Sequence, residues 1–471
     1  AGNCSGRFAA VVPFFVRDEI SCWRKYPALR AGKKNFSLLD SIWLHKGAER
    51  NRMESKEGGL FSHDPAIYYD EKSKYYYTYS TDLGPKFRDG IGGQIRRSKD
   101  LVHFDFVGRA VQEIPEEVRE LTHVRNIWAP DIIKVGEEYR LYYSASTFGS
   151  QHSVIGLAVA DNPEGPFEHR GIVVHTTPDS PVNAIDANPV REEETGEYYL
   201  VYGSFWGGIR LLHLDAKTGL PDEEGYGKVL ACRARKSCDT AIEGPYVHYN
   251  KETGYYYLFV SYDSLTNVYN VRVGRSRKLE GPYVDHNGRH MDDMTYPANH
   301  VGLKITTGYS LKKGSGFLAL GHNSVLETEN GWFLVCHARY ESDPRLPTLN
   351  VRRMVFDEEG WPSVSPCLYA GEGEEIVPEA ELCGSYQRID FVLDVKRLCE
   401  QPIPMELNAD GSLKVADLTG TWSYNERTGW IEIVIGGAIE KLRALRATHR
   451  EEGGATIAFT GRNDAGIGVW A

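Results

Sequence analysis

Long apolar runs are missing from this sequence: no stretch of 18 consecutive apolar residues occurs, so there is no candidate for a helical membrane span. The apolar segment AAVVPFFV at 9–16 is short, is interrupted by Pro13 and lacks a clear cleavage site, which makes it a poor secretory leader. The chain opens on Ala1 rather than Met, which points to an upstream piece. Cys-x-x-Cys pairs are also missing. The eight cysteines stand at 4, 22, 232, 238, 336, 367, 383 and 399, without the spacing of a zinc site. Cys232 and Cys238 are near enough to close a small loop, and Cys336 sits in an apolar strand as a buried thiol. In a chain of this length, free thiols are favoured over a disulfide framework. Positive charge is in deficit, with 54 Lys and Arg against 65 Asp and Glu and a net charge of −11, which argues against nucleic acid as the main partner. Long amphipathic helical patterns are scarce between 60 and 371.

What the chain does have is aromatic residues and glycine: 28 Tyr, 9 Trp and 48 Gly suit many short strands joined by tight turns. One pattern occurs five times. FSHDPAIYYDEKSKYYYTYS begins at 61, WAPDIIKVGEEYRLYYSAS at 128 and IDANPVREEETGEYYLVYGS at 185. IEGPYVHYNKETGYYYLFVS begins at 242 and GHNSVLETENGWFLVCHA at 321. Each copy has a polar or aromatic residue, a short apolar start, a charged turn and a Tyr-rich strand. Four Tyr-rich strands end in Ser, at 80, 144, 204 and 261, where the fifth has Ala338. A third strand follows each copy (GGQIRRS, VIGLAVA, GGIRLLHLD, YNVRVGRS, LNVRRMVFD), and several copies add a fourth, such as HFDFVG and FEHRG. Five four-stranded repeats at a period of roughly 55 to 80 residues predict an all-β fold, a five-bladed β-propeller.

In such a ring the innermost strand of each blade lines the central channel, so a residue at its mouth points into a shared cavity. Three or four residues before the apolar start, the five copies place Asp64, Trp128, Asp186, Glu243 and His322. A structural repeat needs no ionisable group there. Three carboxylates converging on one cavity push at least one pKa upward, which lets one carboxyl remain an acid while another is a base. A carboxyl pair flanking a glycosidic bond is the usual hydrolytic arrangement. Blades one and four flank blade five, so groups on them are expected to oppose each other with room for a water, hence inversion. Asp131 falls out of register with this slot and reads as structural.

The motifs HDPAI, WAPDI, SVIGLAVAD, NAIDANP, YGSFWGGI, AIEGPY, VRVGRS with LEGPYVD, GHNSV and DEEGWP, spread over 61–384, resemble glycoside hydrolase family 43 and, within it, the endo-arabinanases. The resemblance implies a propeller that hydrolyses α-1,5-arabinan with inversion outside the cell. Asp64 in HDPAI then matches the general base, Glu243 in AIEGPY the general acid, and Asp186 in NAIDANP the residue that tunes and orients the acid. His322 in GHNSV matches the histidine that holds a metal, usually calcium, in a water-rich shell, with His337 in VCHARY as the rival ligand one strand later. Calcium prefers oxygen, so water would supply most of that shell.

Trp128 offers a flat face for a sugar, Phe205 and Trp206 follow Ser204 on a cavity-facing loop, and Arg352 is a candidate for a sugar hydroxyl. The expected partners are arabinan or arabino-oligosaccharides, with no nucleic acid, no membrane and a monomeric state. Residues 1–58 form an N-terminal extension with charged runs and no family motif, in which DSIWLHKGAERNRM is expected as a short helix. The propeller is expected over 59–384, and a small C-terminal β domain over 385–471. That domain is expected to brace the propeller rather than bind glycan, and the stop at GIGVWA, just after a turn pattern, points to an incomplete domain. The competing functions are an exo-acting α-L-arabinofuranosidase or β-xylosidase, and a glycan-binding propeller without catalysis.

Overall fold

Each repeat opens with a short strand that turns back into its Tyr-rich partner. In the first repeat Ala66–Asp70 pairs antiparallel with Tyr75–Ser80, placing Tyr68 opposite Tyr77 and Tyr69 opposite Tyr76. Such cross-strand aromatic pairs stabilise a hairpin by ~0.2–1 kcal/mol each. The computed structural model describes residues 61–83, 92–124, 126–234, 241–311, 316–394, 397–448 and 454–471. The N-terminal extension with its expected short helix lies outside the described residues, as does Cys238 with the loop it was expected to close. The thiols of Cys336, Cys367, Cys383 and Cys399 are free, and Cys336 is buried in a strand as expected.

Five four-stranded antiparallel sheets follow one another along the chain, each built from consecutive strands. Blade one spans 66–109, blade two 128–176, blade three 188–231, blade four 242–304 and blade five 317–364. One short helix, Glu116–Thr122, stands between blades one and two. The Tyr-rich second strands fill the spaces between blades. Tyr77, Tyr79, Tyr139 and Tyr143 pack between blades one and two, Tyr142 and Tyr202 between two and three, and Val201, Val260 and Tyr262 between three and four. Blades four and five share Tyr257, Phe259, Leu334 and Cys336.

The ring closes between blades five and one without sharing a strand. Ile67, Leu101 and Phe104 of blade one pack on Phe333, Val335 and Val351 of blade five. The Ser324 hydroxyl donates to the Pro65 carbonyl at 2.9 Å and accepts from the Ile67 N–H at 3.0 Å, and the Phe61 N–H reaches the Pro347 carbonyl at 2.9 Å.

After the propeller, eight strands between Gly384 and Trp470 form a closed barrel. The final GIGVWA stretch supplies its eighth strand, Gly468–Trp470. That strand pairs with Ile389 and Asp390 on one side and with Thr460–Arg462 on the other. The barrel packs directly on the propeller. Trp470 and Phe391 enter the blade four and five core, while the Trp470 indole and the Thr460 hydroxyl both donate to the Val364 carbonyl. Arg462 pairs with Asp357 at 2.8 Å.

Candidate active site

The slot residues at the channel mouth sit on a backbone kink. Asp64, Asp186 and His322 have φ of 54°, 61° and 47°, and in blades two and four the next residue takes the left-handed turn, Ala129 at 38° and Gly244 at 56°. Such backbone is sparsely populated for residues other than glycine and persists only where its surroundings hold it. Here the neighbouring blade holds it, through the hydroxyl that ends its second strand. Ser144 accepts from the Asp186 N–H at 3.0 Å, Ser261 accepts from the His322 N–H at 2.8 Å, and Ser204 donates to Glu243 Oε2 at 2.9 Å. At the blade one to two step Thr81 takes over, accepting from the Ala129 N–H at 2.8 Å and donating to Asp64 Oδ2 at 2.6 Å. Three of the four repeated serines, Ser144, Ser204 and Ser261, therefore fix the next blade's functional group.

The structure brings Asp64, Asp186, Glu243 and His322 together, with different protonation states. Burial works to raise the Asp64 pKa, but the positive charges of His63 and His322 and their hydrogen bonds outweigh it and hold the carboxyl well below its ordinary value. His322 Nδ1 lies 3.0 Å from Asp64 Oδ1, and His63 Nδ1 lies 2.7 Å from Oδ2. Burial lowers the His322 pKa, yet Asp64, Asp186 and Glu243 together raise it to about 9. Glu243 is pushed up, first by burial and then by the negative charge of Asp186, against hydrogen bonds from Ser204 and Tyr269. Asp186 is also raised, mainly by burial; its Oδ2 accepts the Gly244 N–H at 3.0 Å, which ties it to the backbone beside Glu243. At neutral pH, Asp64 is an ionised acceptor and Glu243 a protonated donor.

For a metal, the geometry favours the rival histidine. His322, expected from sequence as the ligand, faces Asp64 as an ion-pair partner, its Nδ1 3.0 Å from Oδ1. Among the described residues, His63, Asp64 and His337 form a group whose candidate ligand atoms lie within 4.8 Å of one another. His337 is fully buried, and burial drives its pKa well below the usual histidine value, so it is neutral. Its Nε2 is buried without a hydrogen-bond partner, while Nδ1 lies 3.2 Å from the Asp64 N–H and 3.5 Å from Asp64 Oδ1. Either tautomer therefore has a partner at Nδ1, and with the proton there Nε2 offers a lone pair. These residues fit a cation at His337.

Trp128 opens blade two opposite Ser144 and is half-buried. Phe205 and Trp206 lie on the loop after Ser204, half-buried, with ring centroids 5.8 Å apart, beside the hydroxyl that bonds Glu243. Arg352, expected to reach a sugar, does not face the cavity. It is fully buried, and its guanidinium is taken up by Asn350 Oδ1 at 3.0 Å, the Ser365 carbonyl and Tyr309 hydroxyl at 3.2 Å, and the Pro366 carbonyl. Asp131 accepts from Asn188 Nδ2 at 2.8 Å and from the Ile132 N–H at 2.7 Å, a clasp between blades two and three, and burial raises its pKa to about 7. His63, Thr81 and Tyr269 went unread in the sequence. His63 stands beside Asp64 in HDPAI, and its adjacency was the available signal.

A five-bladed propeller whose channel mouth holds an ionised carboxylate, a protonated one and a third that tunes it defines a glycoside hydrolase. Residues 59–362 match the model of the glycosyl hydrolases family 43, and 366–471 match a C-terminal lipocalin-like domain. The chain belongs to glycoside hydrolase family 43. It is 33% identical to an extracellular endo-α-(1→5)-L-arabinanase of Thermotoga petrophila, covering 87% of this chain and 92% of that one. It is 30% identical to the extracellular endo-α-(1→5)-L-arabinanase 2 of Bacillus subtilis, covering 92% and 96%. The crystal structure of the endo-1,5-α-L-arabinanase from Thermotoga petrophila superposes with a TM-score of 0.76 at 31% identity, covering 88% of this chain and 98% of that one.

Proposed function

We propose that this protein cleaves internal α-1,5-L-arabinofuranosidic bonds of arabinan, with inversion at the anomeric carbon. The observation that carries the reading is the split between two buried carboxyls at one channel mouth, Asp64 held ionised by histidines and Glu243 held protonated by burial and Asp186. In this mechanism water attacks the anomeric carbon while Asp64 takes its proton. The bond to the leaving oxygen breaks as Glu243 passes its proton to that oxygen. Asp186 anchors the Gly244 N–H, orients Glu243 and keeps it protonated until the substrate arrives. Inversion follows from single displacement, with the base on blade one and the acid on blade four. The likeness over most of the chain to two arabinanases named as endo-acting supports the substrate and the internal cut.

His337 would hold the cation, with His63 and Asp64 beside it and water completing a calcium shell. Bound there, the ion adds positive charge that favours the ionised form of Asp64 and orders nearby water. Trp128, Phe205 and Trp206 supply stacking faces for the chain of sugars. All three carboxylates come from one chain, so the site needs no second copy and the enzyme works as a monomer. The extracellular naming of both relatives supports action outside the cell.

Product analysis on linear and branched arabinan tests the reading. Mixed oligosaccharides from the linear polymer are expected. Arabinose alone would make the enzyme exo-acting, and no release from either polymer would overturn the assignment. Proton NMR of fresh product should show the β anomer first; an initial α anomer would exclude inversion.

A further inference from the structure

A general base must present its oxygen to water at a set angle, yet the torsion that turns an aspartate carboxyl is soft and broad. The orientation of Asp64 must come from what its two oxygens touch. Oδ1 faces His322 Nδ1 at 3.0 Å and His337 Nδ1 at 3.5 Å, both from blade five. Oδ2 receives the Thr81 hydroxyl at 2.6 Å and lies 2.7 Å from His63 Nδ1, both from its own repeat. Thr81 is tied forward to blade two as well, because its oxygen accepts from the Ala129 N–H at 2.8 Å. An N–H can only donate, so this second bond settles where the hydroxyl hydrogen goes, namely to Asp64. Two bonds in series polarise each other, which strengthens the one that ends on the carboxylate.

Thr81 is buried, and both of its backbone groups are held. Its N–H donates to the His63 carbonyl at 2.9 Å, and its carbonyl accepts from Gln94 Nε2 at 2.8 Å. The next residue, Asp82, grips both backbone groups of Ile127. Its N–H donates to the Ile127 carbonyl at 3.0 Å, and its Oδ2 accepts from the Ile127 N–H at 3.2 Å. Residues 81–82 and 127–129 thus form one clasp. The repeat is also broken here. In blade one the repeated serine, Ser80, accepts from Arg96 Nη1 at 3.3 Å, and the contact to blade two passes to the following residue. Ser144, Ser204 and Ser261 act on the next blade, whereas Thr81 acts on the next blade and on its own blade's base together.

We propose that Thr81 is a positioning residue for the base step: its hydroxyl, aimed by Ala129, holds the Asp64 carboxyl in the plane from which it takes the proton of the attacking water. The inference rests on the arabinan-hydrolase reading for its kinetics. The contribution is one of geometry rather than of charge. A donor to a carboxylate weakens as that carboxylate is protonated, so Thr81 gains nothing electrostatically in the transition state. What it supplies is order. Without the hydroxyl, Oδ2 loses its tie to blade two, the carboxyl turns about its soft torsion, and a lone pair meets the water less often.

Thr81→Val keeps the branched shape and removes the hydroxyl. On arabinan it should lower kcat by about 10- to 100-fold, while Thr81→Ser, which keeps the hydroxyl, should stay within about threefold of wild type. An unchanged kcat in Thr81→Val, or an equal loss in Thr81→Ser, overturns the role. On an aryl arabino-oligosaccharide with an activated leaving group, the acid is dispensable but the water must still be activated. The loss in Glu243→Gln should shrink on that substrate, and the loss in Thr81→Val should persist to within about threefold. A Thr81→Val loss that shrinks in step with Glu243→Gln overturns the link to the base. If Thr81→Val does not fold, Thr81→Cys, whose thiol is a weaker donor, takes its place with the same outcomes. Sugar-free crystal structures of the variants give a readout independent of the polymer. The Asp64 carboxyl should be rotated or split between orientations in Thr81→Val and single, as in the wild type, in Thr81→Ser. An unmoved carboxyl in Thr81→Val overturns the proposal. A displaced carboxyl in a protein whose wild type does not cleave arabinan overturns the substrate reading and leaves the positioning role standing.

Discussion

His322 Nδ1 lies 3.0 Å from Asp64 Oδ1, an ion pair between blade five and blade one at the channel mouth. With its pKa raised to about 9, His322 is charged in the fold at pH values where it is neutral in the unfolded chain. For a base with a raised folded pKa, the stability it contributes is complete below pH ~6.5 and is lost as pH rises through the folded value. The stability gap between wild type and His322→Gln should therefore be widest below pH ~6.5, on the order of 3 kcal/mol, and should close between there and pH ~9. Urea unfolding at several pH values measures it, and a gap independent of pH would contradict the ion pair.

Glu243→Gln keeps the shape of the acid and removes its proton. Release of reducing ends from arabinan should fall by at least ~10²–10⁴-fold, while binding of arabino-oligosaccharides, followed by tryptophan fluorescence or calorimetry, persists. Turnover near wild type would remove Glu243 from its role.

The hydroxyl of Ser204 stabilises the ionised form of Glu243 through its 2.9 Å bond to Oε2. Ser204→Ala should thus raise the acid's pKa further, because a donor to the charged form has gone. The alkaline limb of the kcat/KM profile, where the acid loses its proton, moves upward by up to about one pH unit. A limb that moves down, or stays, would count against Glu243 as the group that sets it.

Chelation should lower both activity and melting temperature in the wild type, and added calcium should restore them. His337→Ala should remove the response to chelator and to calcium. An enzyme stripped of metal that keeps full activity would dispose of the cation at this site.

Ser324 joins the ends of the ring through two buried hydrogen bonds, to Pro65 and Ile67. Ser324→Ala leaves both backbone groups unpaired and should cost about 1–3 kcal/mol in chemical denaturation. A surface serine replaced the same way should cost less than about 0.5 kcal/mol.

The repeat, the five blades and the carboxylates Asp64, Asp186 and Glu243 were legible because each is set by local register: a residue a few positions before a strand takes its place from that strand. What failed to show were contacts made between blades. His337 and Asp64 are 273 residues apart in the chain, so nothing in either neighbourhood announces the other. The repeated serines were visible as a pattern, but the partners of Ser144, Ser204 and Ser261 lie in the following blade, and the pattern carried no meaning until the blades were side by side. Arg352 misled because an arginine on a strand reads the same whether it faces a sugar or a neighbouring carbonyl. The pairing of His322 with Asp64, 258 positions earlier, was hidden for the same reason as that of His337.

The joint between the last blade and the first has a bearing on when the enzyme comes alive. Asp64 stands on one side of that joint and His322 and His337 on the other, so a nascent chain with four finished blades possesses the acid and its tuner, while the base has His63 and Thr81 beside it but neither histidine of blade five. Closing the circle is therefore the step that completes the surroundings of the base, by adding the charge of His322.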